Sequence, residues 1–501
     1  MQRIPEWLRD SRTLTALTTI AVIGGVILRA RRYFANRSLW LDEAMIALNI
    51  LRRDVAGLLQ PLEYNQAAPF GFLVSEQAIA GILGPGELSL RLIPFVAGIG
   101  ALVMFAFVAR RVLGPAPAVL AVAFLAFNEP LIYYASELKQ YSTDVFWCIA
   151  ILAACLPLLE PDTPRWRWWI AAIIGVVATW ASHPAVFLLA GSGTVVIIAA
   201  WRAGRRREAF TMAAISAAWA AAFVAHYMLL VAEQSRHVGL QEAWSRRDSF
   251  PPASLSPIQW IQWGFMTVRD YIAYPGDIAF DGLALFAVPL GIAFVYRRGP
   301  HAGLLLAPLA FLFLACVLHR YPMRERVVVF TLPIFALLLA GGIAFLAERA
   351  RSMNLAVAML TGWLLLHPTG RAARAFLHPP GREELRPMLD HVQANVRDTD
   401  GIYLFPPGAQ PAFYYYVENF ERYALLRERT RIIGDYGRSS APPQTAADFA
   451  GFDRVWVIMS RLDGDGYRAI SNFDSFALRI DSTVVTGAGA FLYQLPGPQR
   501  P

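Results

Sequence analysis

The sequence predicts an α-helical polytopic membrane protein of about eleven transmembrane helices, with interfacial helices in its first outer loop and a small C-terminal α/β soluble domain. Three observations carry this. Of 501 residues, 56% are hydrophobic and only 16% charged, where a soluble domain carries about 25% charged residues. The apolar residues gather into runs of roughly 20, the length that crosses a bilayer as a helix. From residue 371 onward the hydropathy falls to that of a soluble domain. The overall mean hydropathy of +0.41 excludes an ordinary soluble enzyme, and it excludes disorder, which needs low hydrophobicity and high charge.

The net charge of +8 does not mark a nucleic-acid binder, because the arginines are scattered through short loops between apolar runs. That is the charge pattern of a multi-pass membrane protein. Cys148, Cys155 and Cys316 all sit inside apolar runs, so no disulfide framework is implied. Lys139 is the one lysine among 45 basic residues. A GC-rich coding bias accounts for the arginines; the place where the lysine survives is a separate clue.

The spans are expected at 14–30, 91–109, 117–134, 142–159, 168–182, 184–200, 209–231, 282–296, 302–318, 327–347 and 353–367. Arginines follow the first of them and no small-residue cleavage site does, so it reads as a retained span. With the N-terminus inside, the inner turns hold Arg110/Arg111, Arg165/Arg167, Arg202/Arg205/Arg206/Arg207, Arg297/Arg298 and Arg349/Arg351, beside Arg3, Arg9 and Arg12 at the start. Each is short and basic, as the positive-inside rule requires. Outer arginines such as Arg31, Arg32 and Arg37 are mixed with carboxylates and aromatics, which makes the outer side the working face.

Three outer segments are long enough to hold structure. Segment 31–90 contains an amphipathic stretch at 44–60 and an apolar helix near 69–83, both suited to lie along the interface. Segment 232–281 is polar, aromatic and proline-bearing. In the tail, a helix at 383–395 precedes a strand at 401–405 and a helix near 409–419. A strand at 454–459, a further helix and an edge segment at 490–495 complete an α/β pattern. The domains are therefore expected at 1–370 and 371–501.

Three motifs carry chemistry. Ser38-Leu39-Trp40-Leu41-Asp42-Glu43-Ala44 places two carboxylates at the membrane surface, where one would take a proton from an acceptor hydroxyl while the other positions it. The alternative is that Asp42 caps an interfacial helix starting at Glu43. The turn Tyr133–Ser142 puts Glu137, Lys139 and Tyr141 at the boundary, where an ammonium suits a phosphate at headgroup depth; interfacial anchoring is the competing account. His319–Arg326 bends at a proline and carries Arg320, Tyr321, Arg324 and Arg326, an anion clamp or a contact with anionic lipid. Gln66 and His183 stand at outer junctions as candidate substrate-binding residues, though a histidine there is more often a packing residue. No zinc spacing, Walker loop, dinucleotide fingerprint or nucleophile elbow occurs, and Asp463 and Asp465 lack the remaining ligands of a calcium loop. No metal ligand set is assigned.

Together these motifs resemble the GT-C glycosyltransferases, in the style of the protein O-mannosyltransferases and the aminoarabinose lipid A transferase. Trp40–Ala44 is similar to the Asp-Glu motif of the first outer loop in that superfamily. Ala68-Pro69, Glu87–Pro94, Tyr134–Tyr141, Ser182-His183-Pro184 and Arg320–Pro333 follow in the same order, over roughly residues 10–370. Ala67-Ala68 departs where relatives have a second proline, Lys139 stands where many have arginine, and the tail does not look like a sugar-binding trefoil. The resemblance implies transfer of a sugar, with inversion, from a polyprenyl-phosphate carrier to an acceptor glycan, lipid or protein at the outer face of a bacterial cytoplasmic membrane. It gives Asp42 the role of general base, with Glu43 beside it, and gives Lys139, Arg324 and Arg326 the leaving phosphate. The lipid-linked donor is the one implied ligand, and the expected partners are the bilayer and an acceptor. A flippase of a lipid-linked sugar, or an inactive scaffold, is the alternative; carriers place their charges nearer the midplane and show repeats.

Overall fold

In a bilayer every backbone amide must be satisfied within the chain, so apolar runs of this length become helices. The computed structural model describes residues 10–231, 244–245, 247–252, 256–349, 354–405, 410–429, 431–433, 445–449, 451–460, 462 and 464–496. Arg3, Arg9, Arg351, Asp463 and residues 232–243 lie outside them. Two compact units are formed: one from residues 1–34, 55–78 and 91–379, the other from 35–54, 79–90 and 380–501. The division thus differs from a boundary at 370/371. It falls at 379/380, and residues 35–54 and 79–90 belong with the C-terminal segment.

The helices in chain order are α1 (Ser11–Tyr33), α2 (Leu41–Arg52), α3 (Phe70–Leu83), α4 (Leu92–Leu113), α5 (Pro115–Phe127), α6 (Glu129–Tyr134), α7 (Tyr141–Cys155), α8 (Arg165–Ala181), α9 (Ala185–Arg202), α10 (Arg206–His226), α11 (Pro257–Ala273), α12 (Asp281–Tyr296), α13 (His301–Val317), α14 (Leu332–Arg349) and α15 (Asn354–Leu377). Every expected span except 117–134 falls on one helical stretch. Among the described residues six helical stretches are long and apolar enough to cross a membrane: 11–33, 92–113, 141–159, 185–202, 206–230 and 325–349. Helices α3, α5, α12 and α13 are apolar but shorter.

The span expected at 117–134 is not one helix. Pro130 cannot donate, and the chain breaks at Asn128, whose side chain accepts from the Leu131 amide at 3.1 Å to restart the helix as α6. The turns assigned to the inner side touch one another: Arg110 donates to Thr15 at 3.0 Å, Arg111 pairs with Glu160, and Arg205 donates to the Leu159 carbonyl at 3.0 Å. Helices α12 and α14 meet backbone to backbone through Gly291 and Gly342; an added Cβ would overlap the Leu338 and Ala287 carbonyls. Small residues at such a seam are how helices approach closely in lipid, where no hydrophobic gain separates helix from tail.

The second unit carries a five-stranded sheet of order β2-β1-β3-β5-β4, from β1 (Gly401–Phe405), β2 (Arg431–Ile433), β3 (Arg454–Ser460), β4 (Leu478–Val485) and β5 (Ala488–Gln494). β1 runs parallel to β2 and β3; β5 is antiparallel to β3 and β4. β1 and β3 are buried along their whole length, as continuous apolar strands with both faces covered must be. His391 of α16 (Leu385–Asn395) meets Trp456 at 6.0 Å on one face, and Phe473 of α17 (Gly464–Phe476) stacks on Tyr493 at 5.1 Å on the other. The segment expected at an edge is therefore internal: β5 lies between β3 and β4, and β4 takes the edge.

Candidate functional site

Two polar constellations hold the expected site residues, one in each unit. In the first unit the turn after α6 carries the lysine. Lys139 is only 4% exposed, and its Nζ donates to Gln66 Oε1 at 2.6 Å while Gln140 Nε2 reaches the Ala67 carbonyl at 3.3 Å. A snorkelling lysine sends its ammonium to water; this one is turned onto the protein. The turn is anchored from behind. Ser142 donates to the Pro94 carbonyl at 2.9 Å, and Gly98 lies so close that a Cβ would overlap Ala135. Tyr133 donates to Glu137 at 3.2 Å, and the Arg32 guanidinium lies 4.5 Å over the Tyr133 ring.

Beneath it runs an ion network that sequence reasoning missed. Glu129 pairs with Arg32 at 3.6 Å and with Arg371 at 2.9 Å, and Arg371 also binds Asp277 at 2.6 Å. The Arg371 fork, bridging two carboxylates, ties α15 to the start of α6.

Tyr141 packs edge-on to Tyr134 at 4.8 Å, with Arg326 5.8 Å above its own ring. The other arginines of the expected clamp diverge. Arg324 binds Asp270 at 2.6 Å and the Arg247 carbonyl at 2.6 Å, and Arg320 is exposed. Of the three, only Arg326 joins the Tyr141 side. Tyr321 donates to the Val327 carbonyl at 2.9 Å and meets Phe187 at 5.1 Å; burial, with Asp144 and Tyr141 nearby, pushes its phenol well above the usual range.

Asp144 is a second omission of the sequence reading. It is buried in the first turn of α7 and accepts from Ser182 at 2.6 Å. A lone acid inside an apolar span was the available signal, as it was for fully buried Glu76 in α3. His183, the residue after Ser182, stacks on His226 at 5.6 Å. Burial and the neighbouring His226 lower its pKa to about 4, against a smaller opposite effect of its hydrogen bond to the Ala68 backbone.

In the second unit, α2 begins at Leu41 with Trp40 as its cap residue. Asp42 therefore lies inside the first turn and is not the cap. The local carboxylate that reaches back is Glu43, accepting from the Trp40 amide at 3.4 Å. Glu43 is fully buried and Asp42 half-buried, so Asp42 is the more accessible of the two acids. Trp40 lies under the Arg382 guanidinium at 4.2 Å. Among the described residues no group of three or more His, Cys, Asp and Glu side chains is spaced to hold a metal ion.

No family model and no curated protein sequence matches the chain. Solved structures do. ArnT from Cupriavidus metallidurans in the apo state aligns with a TM-score of 0.54 at 14% identity, covering 95% of this chain and 98% of that one. ArnT bound to undecaprenyl phosphate aligns with a TM-score of 0.52 at 13% identity, over 95% and 97%. The archaeal oligosaccharyltransferase AglB from Archaeoglobus fulgidus, in complex with an inhibitory peptide and a dolichol-phosphate, aligns with a TM-score of 0.52 at 11% identity, over 97% of this chain and 75% of that one. Along nearly its whole length, the chain shares its fold with ArnT and AglB.

Proposed function

We propose that the protein is an inverting glycosyltransferase that moves a sugar from a polyprenyl-phosphate carrier to an acceptor at the outer face of a bacterial cytoplasmic membrane. The observation that carries this reading is a near full-length likeness to ArnT and AglB, whose structures include complexes with undecaprenyl phosphate and a dolichol-phosphate. Asp42 accepts the proton of the acceptor hydroxyl as its oxygen attacks the anomeric carbon. The bond from that carbon to the phosphate oxygen breaks, and the electron pair leaves with the lipid phosphate. Such a leaving group needs no proton, only fixed cations where charge grows. Lys139 fills that role, held by Gln66, with Arg326 as the second cation. Arg324, already neutralised by Asp270, contributes little.

The test is purified protein in liposomes with a labelled polyprenyl-phosphate sugar and cell-envelope extract as acceptor pool. A transferase releases free polyprenyl phosphate and moves the label to a new molecule. Movement of intact donor between leaflets without release would identify a flippase, and neither event would leave a scaffold.

A further inference from the structure

Four consecutive backbone amides lead into the helix that carries Asp42, and each donates to a side chain. Ser38 donates to Glu384 Oε2 at 3.2 Å, Leu39 to the Tyr416 hydroxyl at 2.7 Å, Trp40 to Glu43 at 3.4 Å and Leu41 to Glu383 Oε2 at 3.0 Å. Three of these acceptors come from 342 to 377 residues further along the chain. A helix start normally satisfies its first amides with its own cap side chain or with water. Here the cap residue is Trp40, which has no acceptor to offer, and the missing carboxylate arrives from the C-terminal segment. A carboxylate at a helix N-terminus is favoured by the helix dipole, and hydrogen bonds to ionised groups are the stronger kind.

The acceptors are themselves fixed. Glu383 is 6% exposed. The amide of Glu384 donates to the Thr486 carbonyl at 2.9 Å in the turn between β4 and β5. Gly487 in that turn has φ +68° and lies against the Arg382 carbonyl, where a Cβ would overlap it. Tyr416 donates onward to Glu87 at 3.1 Å, and Glu87 pairs with Arg386 at 3.1 Å. The sheet thus sets residues 382–384, which set the backbone of residues 38–41, on which the Asp42 carboxylate depends.

We infer that Glu383 is a positioning residue for Asp42, and that the C-terminal α/β segment works as the mould of the catalytic turn. The inference rests on the assignment of Asp42 as general base. A base displaced by about 1 Å loses on the order of a hundredfold in rate.

The experiment compares Glu383→Ala, Glu383→Gln and Tyr416→Phe with wild type in the liposome turnover assay, well below each variant's melting temperature. Glu383→Ala lowers kcat roughly tenfold to a hundredfold while the KM for donor stays put. Glu383→Gln keeps an oxygen for the Leu41 amide and restores most of the rate; Tyr416→Phe loses several-fold. In an Asp42→Asn background, Glu383→Ala has no further effect on residual turnover, since coupled sites are not additive. Wild-type kcat in Glu383→Ala, or an equal loss from it in both backgrounds, overturns the inference. If Asp42→Asn alone turns over like wild type, what falls is the assignment of Asp42, whatever Glu383 does.

Discussion

The lysine turn and the aspartate turn are held in different ways. Lys139 sits between two helices adjacent in sequence and takes its partner, Gln66, from the segment between α2 and α3. The Asp42 turn depends on side chains hundreds of residues distant. A cation that stabilises a departing phosphate acts through distance and charge, so a flexible stem on a firm turn serves it. A general base must meet one proton along one direction, and its backbone has to be placed from several sides. The network of Arg32, Glu129, Arg371 and Asp277 also supports the lysine turn from α15, but that support reaches it second-hand, through Tyr133 and Glu137.

The all-or-none test of this contrast concerns sides. Cysteine labelling of Ser482→Cys in the tail and Arg297→Cys in an inner turn should occur from opposite faces of the membrane; Cys148, Cys155 and Cys316 are buried and give little background. Labelling of both from one face would break the outer-face mechanism. Next in size is Lys139→Ala, expected to lower turnover by roughly two orders of magnitude, as loss of a fixed electrostatic stabiliser does. Lys139→Met should fall equally far, because it keeps the stem and removes the charge, while Lys139→Arg should retain part of the rate. Rates for Met and Arg variants that both match wild type would return the lysine to interfacial anchoring.

Smaller still is the separation among the arginines. Arg326→Gln should cost several-fold more than Arg324→Gln, since Arg324 is occupied by Asp270; equal losses would restore the clamp of three arginines. The smallest effect is a pH dependence of stability. The His183 pKa is depressed to about 4, so the unfolded chain takes up a proton that the folded chain refuses. Its contribution to stability is present above about pH 6.5, the unperturbed value, and is lost as pH falls toward 4. His183→Gln should flatten the melting temperature between those limits, and an unchanged slope would assign it to other groups.

Much of this was legible from the sequence. Hydropathy located the long apolar helices of the first unit but not α11, which lies in a segment read only as polar, aromatic and proline-bearing, and β1 and β3 follow from apolar runs of strand length. β4 escaped because Leu478–Val485 mixes polar and apolar residues and lies largely exposed at the sheet edge. For the same reason β5 read as an edge when it is internal. Asn128 was hidden inside an apolar run, although Pro130 was the available signal. Asp42 stood out through its motif, whereas Glu383 carries no local mark: its role comes from a partner amide 342 residues away. The occupation of Arg324 by Asp270 is likewise a fact of folding that spacing along the chain cannot carry.

The central claim is that Asp42 is a base and not a brace. Asparagine keeps the size and a hydrogen-bonding oxygen, and removing one first-turn charge costs at most about 1 kcal/mol of helix stability. Asp42→Asn should therefore melt within a few degrees of wild type, a shift of the size that about 1 kcal/mol produces in a large chain, while releasing no polyprenyl phosphate from the labelled donor. Release at the wild-type rate by that folded variant would contradict the account.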